Sequence, residues 1–180
     1  MIRAVTDTLV KYLSSRTADL GDWVSIHSLS SADADPADSH LAIALYAVEE
    51  HPHLRNLPLV ASPAGFRRPP LALQLKYLIT YVGDHDEAQV RLARVVQLFH
   101  TTPILRSSEL EPELIGLVDR ITVRLRTTSA DERNQVWTAL GRPMRLGLFY
   151  EADVAPVEPL EREGRGRIDD HRIHYTELGS

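Results

Sequence analysis

Apolar residues recur at steps of three and four over residues 2–16, where Ile2, Val5, Leu9, Tyr12 and Leu13 line one side and Arg3, Asp7, Lys11 and Arg16 fall elsewhere. That period predicts an amphipathic helix. A short strand is expected at Trp23 to Leu29, then a polar loop from Ser30 to Ser39 marked by Asp35-Pro36. From Leu41 to Glu50 the two alternating sets are Leu41, Ile43, Leu45, Ala47 and Ala42, Ala44, Tyr46, Val48. Both are apolar, as in a strand covered on both faces; the alanine content leaves a helix as the competing reading. The strongest alternation runs from Leu71 to Val82, with Leu71, Leu73, Leu75, Tyr77, Ile79 and Tyr81 set against Ala72, Gln74, Lys76, Leu78 and Thr80. Asp84 or Asp86 caps a helix from about Glu87 to His100, whose stripe is Leu92, Val95, Val96 and Phe99 and which stops at Thr102-Pro103. A strand follows over Asp119 to Thr127. Ser129 and Glu132 have capping-box spacing for a short helix ending at Gly141-Arg142-Pro143, and a last alternating segment runs from Met144 to Val154.

Between these elements, His51 to Pro70 holds Pro52, Pro58, Pro63, Pro69 and Pro70. Proline fixes φ and removes a donor, so regular structure is not expected there, and a connection of that length is usually functional or mobile. Only residues 84–103 are long enough for a crossover helix. The expected fold is therefore α+β, a mostly antiparallel or mixed sheet with packed helices. Residues 1–157 form the domain, and residues 158–180 a flexible tail that either is disordered or adds one strand around Arg172 to Leu178.

Composition narrows the function. Apolar residues make up 43% of the 180-residue chain and charged residues 25%, the balance of a globular domain able to bury its own core. Cysteine is absent, which excludes disulfides, thiolate nucleophiles and Cys-containing zinc sites. A formal net charge of −5 argues against nucleic acid as a partner. Met1 to Asp7 lacks the basic and apolar regions of a secretory leader, and no apolar run approaches a membrane span, so a cytoplasmic location and no membrane partner are expected.

Candidate chemistry is sparse. There is no Walker loop, G-x-G-x-x-G, G-x-S-x-G or H-E-x-x-H, and no cofactor is expected. His51 and His53 bracket Pro52 and could share a metal with Glu49, His85 or His100, but loop histidines beside a strand end are the commoner case. His171, His174, Asp169, Asp170, Gly164 and Gly166 fall in the tail, Glu49 and Glu50 point to opposite faces, and Glu109, Glu111 and Glu113 read as a solvated run around Pro112. Arg120, Arg124 and Arg126 put like charges on one strand face with Thr122. Such a row needs acids opposite it, across strands or across an interface. It is either a solvated face with snorkelling side chains or a surface that meets a partner. Ile173 and Tyr175 give the tail the apolar and aromatic content of an added strand.

Five segments in order carry a resemblance: Ile2 to Leu9, Val48 to Asn56, Arg68 to Leu78, Thr102 to Arg106 and Val136 to Leu146. Together they resemble the N-terminal domain of the tail-cap, or tail-terminator, proteins of extracellular contractile injection systems, the class of the antifeeding prophage, over about residues 2–157. The resemblance implies a phage tail-terminator-like fold and a structural role. It implies a hexameric ring of the chain with itself that closes the distal end of the inner tube and sheath and limits tail length. The tube and sheath proteins of a phage tail-like particle would then be its partners. The rival readings are a regulatory binding module and a small His-dependent metal hydrolase.

Overall fold

A computed structural model describes residues 1–17, 23–33, 39–52, 58–62, 65–67 and 71–156. Helix α1 (Ile2–Ser15) leads into the short strand β1 (Val24–Ile26) and the long strand β2 (His40–Glu50). Next come β3 (Val60–Ser62), β4 (Gly65–Arg67) and β5 (Leu73–Val82), then helix α2 (His85–Thr101) and β6 (Ile104–Leu105). A 3-10 turn (Pro112–Leu114), β7 (Val118–Leu125), helix α3 (Ala130–Ala139) and β8 (Gly147–Pro156) complete the described chain. Six strands form one sheet in the order β1-β2-β5-β8-β7-β6, and β3 pairs with β4 in a separate small ladder. Only β1–β2 is parallel; the other pairings are antiparallel, so the sheet is mixed and the fold is α+β as expected.

The two faces of the sheet are built differently. On the first, Leu41, Ile43, Leu75, Tyr77, Ile79, Tyr150, Ala152, Ile121 and Val123 pack with Val5, Leu9 and Leu13 of α1 and Leu92, Val95 and Phe99 of α2 in one core. Burial of such side chains is the main favourable term in folding, at about 1.5–3 kcal/mol each. Tyr12 stacks on Phe99 at 5.6 Å and Phe99 meets Tyr150 at a tilt of 59° and 5.1 Å, which joins α1 to α2 and α2 to β8. Within this core the Tyr77 hydroxyl reaches Thr6 at 3.0 Å, and burial pushes its pKa up to about 12. On the second face Ala42, Ala44, Leu78 and Phe149 pack under Trp137 of α3 with Leu29.

Local chemistry fixes the helix ends. Asp84 accepts from the backbone N–H groups of Asp86 and Glu87 at 2.8 and 3.2 Å, so Asp84 is the cap of α2, and the helix starts two residues earlier than the sequence suggested. Its buried set includes Ala88 and Leu98, while Val96 is only half-buried. Ser129 accepts from Glu132 N at 3.0 Å, but the Glu132 carboxylate turns to Arg126, so the capping box is half formed. At the other end of α3, Gly141 N–H reaches Thr138 O and Arg142 N–H reaches Trp137 O, a Schellman ending. Gly141 has φ 69°, and a Cβ there would lie 2.5 Å from Ser31 Oγ, so glycine is required.

Several expectations need correction. The sheet alternation in β2 breaks at a bulge between Leu45 and Ala47, so Ala47 and Glu49 pass to the second face and Val48 to the first. The strand is accordingly buried at Leu41 to Ala44 and exposed at Val48 to Glu50, not covered throughout. The proline-rich connection contains the β3–β4 ladder, formed by stretches that themselves lack proline. Leu71 and Met144 lie outside their strands and are exposed. The two-residue β6 and the turn at Pro112 were not foreseen. His53, Asp35-Pro36, Pro63, Pro69, Pro70 and the whole tail, with Ile173 and Tyr175, lie outside the described residues.

Candidate functional site

Among the described residues, a helix covers only half of the second face of the sheet. Beyond the α3 footprint, β5 contributes Gln74 and Lys76, β8 Glu151 and Asp153, and β7 Arg120, Thr122 and Arg124, with Glu49 at the end of β2. Register places them together: Gln74 is opposite Asp153 and Thr122 is opposite it on the other side; Lys76 and Arg124 likewise flank Glu151. One row therefore sets an acid between an amide and a hydroxyl and the other an acid between two cations, the arrangement in which cross-strand pairs stabilise a sheet.

The side chains follow that register. Arg124 donates Nε and Nη2 to Glu151 Oε1 at 3.0 and 2.8 Å and also contacts Asp153. Gln74 Nε2 donates to Asp153 Oδ1 at 2.9 Å, and His51 Nε2 lies 3.7 Å from the same oxygen. Lys76 pairs with Glu49. Arg126 donates Nη1 to the Tyr46 hydroxyl at 2.7 Å and to Glu132 at 2.8 Å, with Glu151 at 3.6 Å, and so joins the open half to α3. Burial works to lower the Arg126 pKa, but Glu132 and Tyr46 outweigh it and hold the guanidinium above its ordinary value. Burial raises the Tyr46 hydroxyl against the pull of the same arginine.

Arg120 stands apart. The residue opposite it on β8 is Ala155, and its ion pair is with its own neighbour Asp119 at 2.8 Å, both side chains about half exposed. Arg120, Thr122 and Arg124, with His51, Asp153, Val154 and Ala155, line an open hollow of about 290 Å³.

The predicted residues thus divide. Arg124 and Arg126 find their acids across strands and on α3 in the same chain, whereas Arg120 faces the hollow. His51 joins this face through Asp153. No group of three or more His, Asp or Glu is placed to hold a metal among the described residues, and His53 of the candidate set lies outside them. Sequence reasoning missed Asp153, Gln74 and Lys76. The available signal was Glu151 and Asp153 recurring at the same two-residue step as Arg124 and Arg126, which two paired amphipathic strands bring into register. What the arrangement does is hold an ordered, nearly neutral lattice of charge at a sheet surface, with Arg120 at its margin paired to its own-strand neighbour Asp119.

Comparison with known proteins defines the class. The chain has the fold of the caps that terminate contractile injection particles. It aligns with a cryo-EM structure of the sheath/tube terminator of an extracellular contractile injection system, PVC, in its extended state, at TM-score 0.62 and 18% identity over 100% of this chain and 65% of that one. It aligns with the anti-feeding prophage cap, described as the tube terminating cap, at TM-score 0.57 and 16% identity over 95% of this chain and 60% of that one. The chain belongs to the Pvc16 N-terminal domain family, whose pattern matches residues 4–169. It spans under two thirds of the length of these two structures. No curated protein matches it.

Proposed function

We propose that this chain is a structural terminator of a contractile injection particle, assembling as a sixfold ring that closes the end of the inner tube and sheath and limits their length. The observation that carries this reading is membership of the Pvc16 N-terminal domain family over residues 4–169. The fold shared with a sheath/tube terminator and a tube terminating cap supports it. So does the open half-face: its acids and bases are engaged with one another in fixed register, as suits a surface that must dock in one orientation. The role requires no catalytic group. Its partners are other copies of the chain and the tube and sheath proteins, and it acts within a phage tail-like particle. No described helix is long and apolar enough to cross a membrane.

We propose further that Ile173 and Tyr175 of residues 158–180 add as a strand to a neighbouring chain's sheet edge; among the described residues β1 and β6, only three and two residues long, leave such edge on β2 and β7. Truncation after Pro159 with unchanged capping would remove that part of the proposal. The whole reading is tested by a tagged copy in producing cells. Electron microscopy should place the tag at one end of each particle, as a ring. A tag distributed along the sheath, or absent from purified particles, would overturn it.

A further inference from the structure

We propose that the Arg120 hollow is the socket for residues Glu113 to Leu117 of the next copy in the ring, with Glu113 as the acid that Arg120 meets. This rests on the ring reading above and names the contact that would build it.

Arg120 is the one arginine of its row without an acid on the neighbouring strand, because Ala155 stands opposite. Its link to Asp119 joins two exposed side chains, a kind of pair that contributes little. The guanidinium carries five N–H donors in a planar fork, and one Nη1 bond to Asp119 leaves donors for a carboxylate. Thr122 adds a hydroxyl beside it, and Ala155 lines the hollow on the β8 side.

The complementary group is on the same chain. The 3-10 turn at Pro112–Leu114 packs against α1: Glu111 N–H donates to Thr8 at 3.1 Å, and Lys11 pairs with Glu111 at 2.9 Å. With Glu111 and the buried Leu114 so held, Glu113 stands exposed and has no hydrogen bond or ion pair among the described residues. Next to it Ile115 and Leu117 are 58% and 60% exposed, held in a bend by Gly116 at φ 82° and by Leu117 N–H on Leu114 O at 3.0 Å. An acid beside two exposed aliphatics is the composition of a small docking element with an apolar centre and a polar rim.

The turn belongs to the helix-covered side of the sheet, whereas Arg120 lies on the opposite side, with Asp153 and Thr122. One copy therefore presents plug and socket on different faces. A head-to-tail contact of that kind repeats around a ring if the rotation closes.

Reciprocal charge reversal tests it. Arg120→Glu and Glu113→Arg should each lower the ring population of the full chain, read by native mass spectrometry, by about tenfold or more, because each sets like charges together. Circular dichroism should show both folded, since both side chains are exposed. The double variant Arg120→Glu with Glu113→Arg should recover most of the ring. Two folded single variants that assemble like the parent, or a double variant no better than either single one, would overturn the contact. If the parent chain caps particles and the singles do so equally, the contact is wrong and the proposed function stands. If the parent enters no particle, the proposed function fails and takes this contact with it.

Discussion

The two halves of the second sheet face are built largely from the same strands, β2, β5 and β8, yet they do opposite things. Under α3, β2 and β5 present Ala42, Ala44 and Leu78, and β8 presents Phe149; Trp137 closes over them at 2% exposure. A few residues along, the same strands present Glu49, Gln74, Lys76, Glu151 and Asp153, and no described helix covers them. Arg126 marks the boundary, since it bonds Tyr46 and Glu132 beside α3 and reaches Glu151 on the open side. The covered half draws its stability from burial, which is large and indifferent to orientation. The open half draws less, most of it from the buried Gln74–Asp153 bond and little from its exposed pairs, but it fixes where every charge stands. A surface of the second kind suits recognition better than it suits holding a domain together.

That contrast can be broken by mutation. Trp137→Ala should have the largest effect, about 3–5 kcal/mol lost in urea unfolding, because it empties the covered half. A loss below about 1 kcal/mol would show that α3 is an accessory.

The helix-covered core makes a pH-dependent contribution. Tyr77 ionises near its ordinary value of 10.0 when unfolded but only at about 12 when folded. The unfolded chain therefore loses its proton first as pH rises. The stability from keeping this hydroxyl neutral is fully present below pH 10 and is lost between 10 and about 12, by roughly 2–3 kcal/mol. Tyr150, raised to about 12 by burial, adds to the same fall. In Tyr77→Phe the decline over that window should be shallower, whatever the variant's stability at pH 7. An unchanged slope would contradict the burial of that hydroxyl.

The smallest effects belong to the open half. Asp153→Ala leaves Gln74 without its acceptor and Arg124 with one acid fewer, and should cost about 1–2 kcal/mol. Glu49→Ala, which removes an exposed pair with Lys76, should cost less than about 1 kcal/mol. If Glu49→Ala proved the costlier of the two, the ordering of this face by burial would be wrong.

Much of the fold was legible because period and capping are local signals. Ile2 to Leu13 repeats at helical steps, Leu71 to Tyr81 alternates, and Asp84 and Ser129 announce helix starts. The bulge at Leu45 was not legible, since nothing in Leu45-Tyr46-Ala47 distinguishes it from continued strand and it is the pairing with β5 that requires it. Nor was the two-residue β6, too short to carry a period. The arginine row was visible as charge, but its partners were not. Those depend on which strand lies beside β7 and in what register, and Glu151 and Asp153 arrive 27 and 29 residues after Arg124 in the sequence. The family resemblance came from segment order, which is why it could be read before any site was known.

The central claim is that this chain ends the particle, and length is its most direct readout. Particles should be imaged from producing cells with the gene intact, deleted, and restored in trans. The account predicts a narrow length distribution with the gene, a broadened or unstable one without it, and recovery on restoration. Deletion particles with the parent's length and the parent's stability would contradict it.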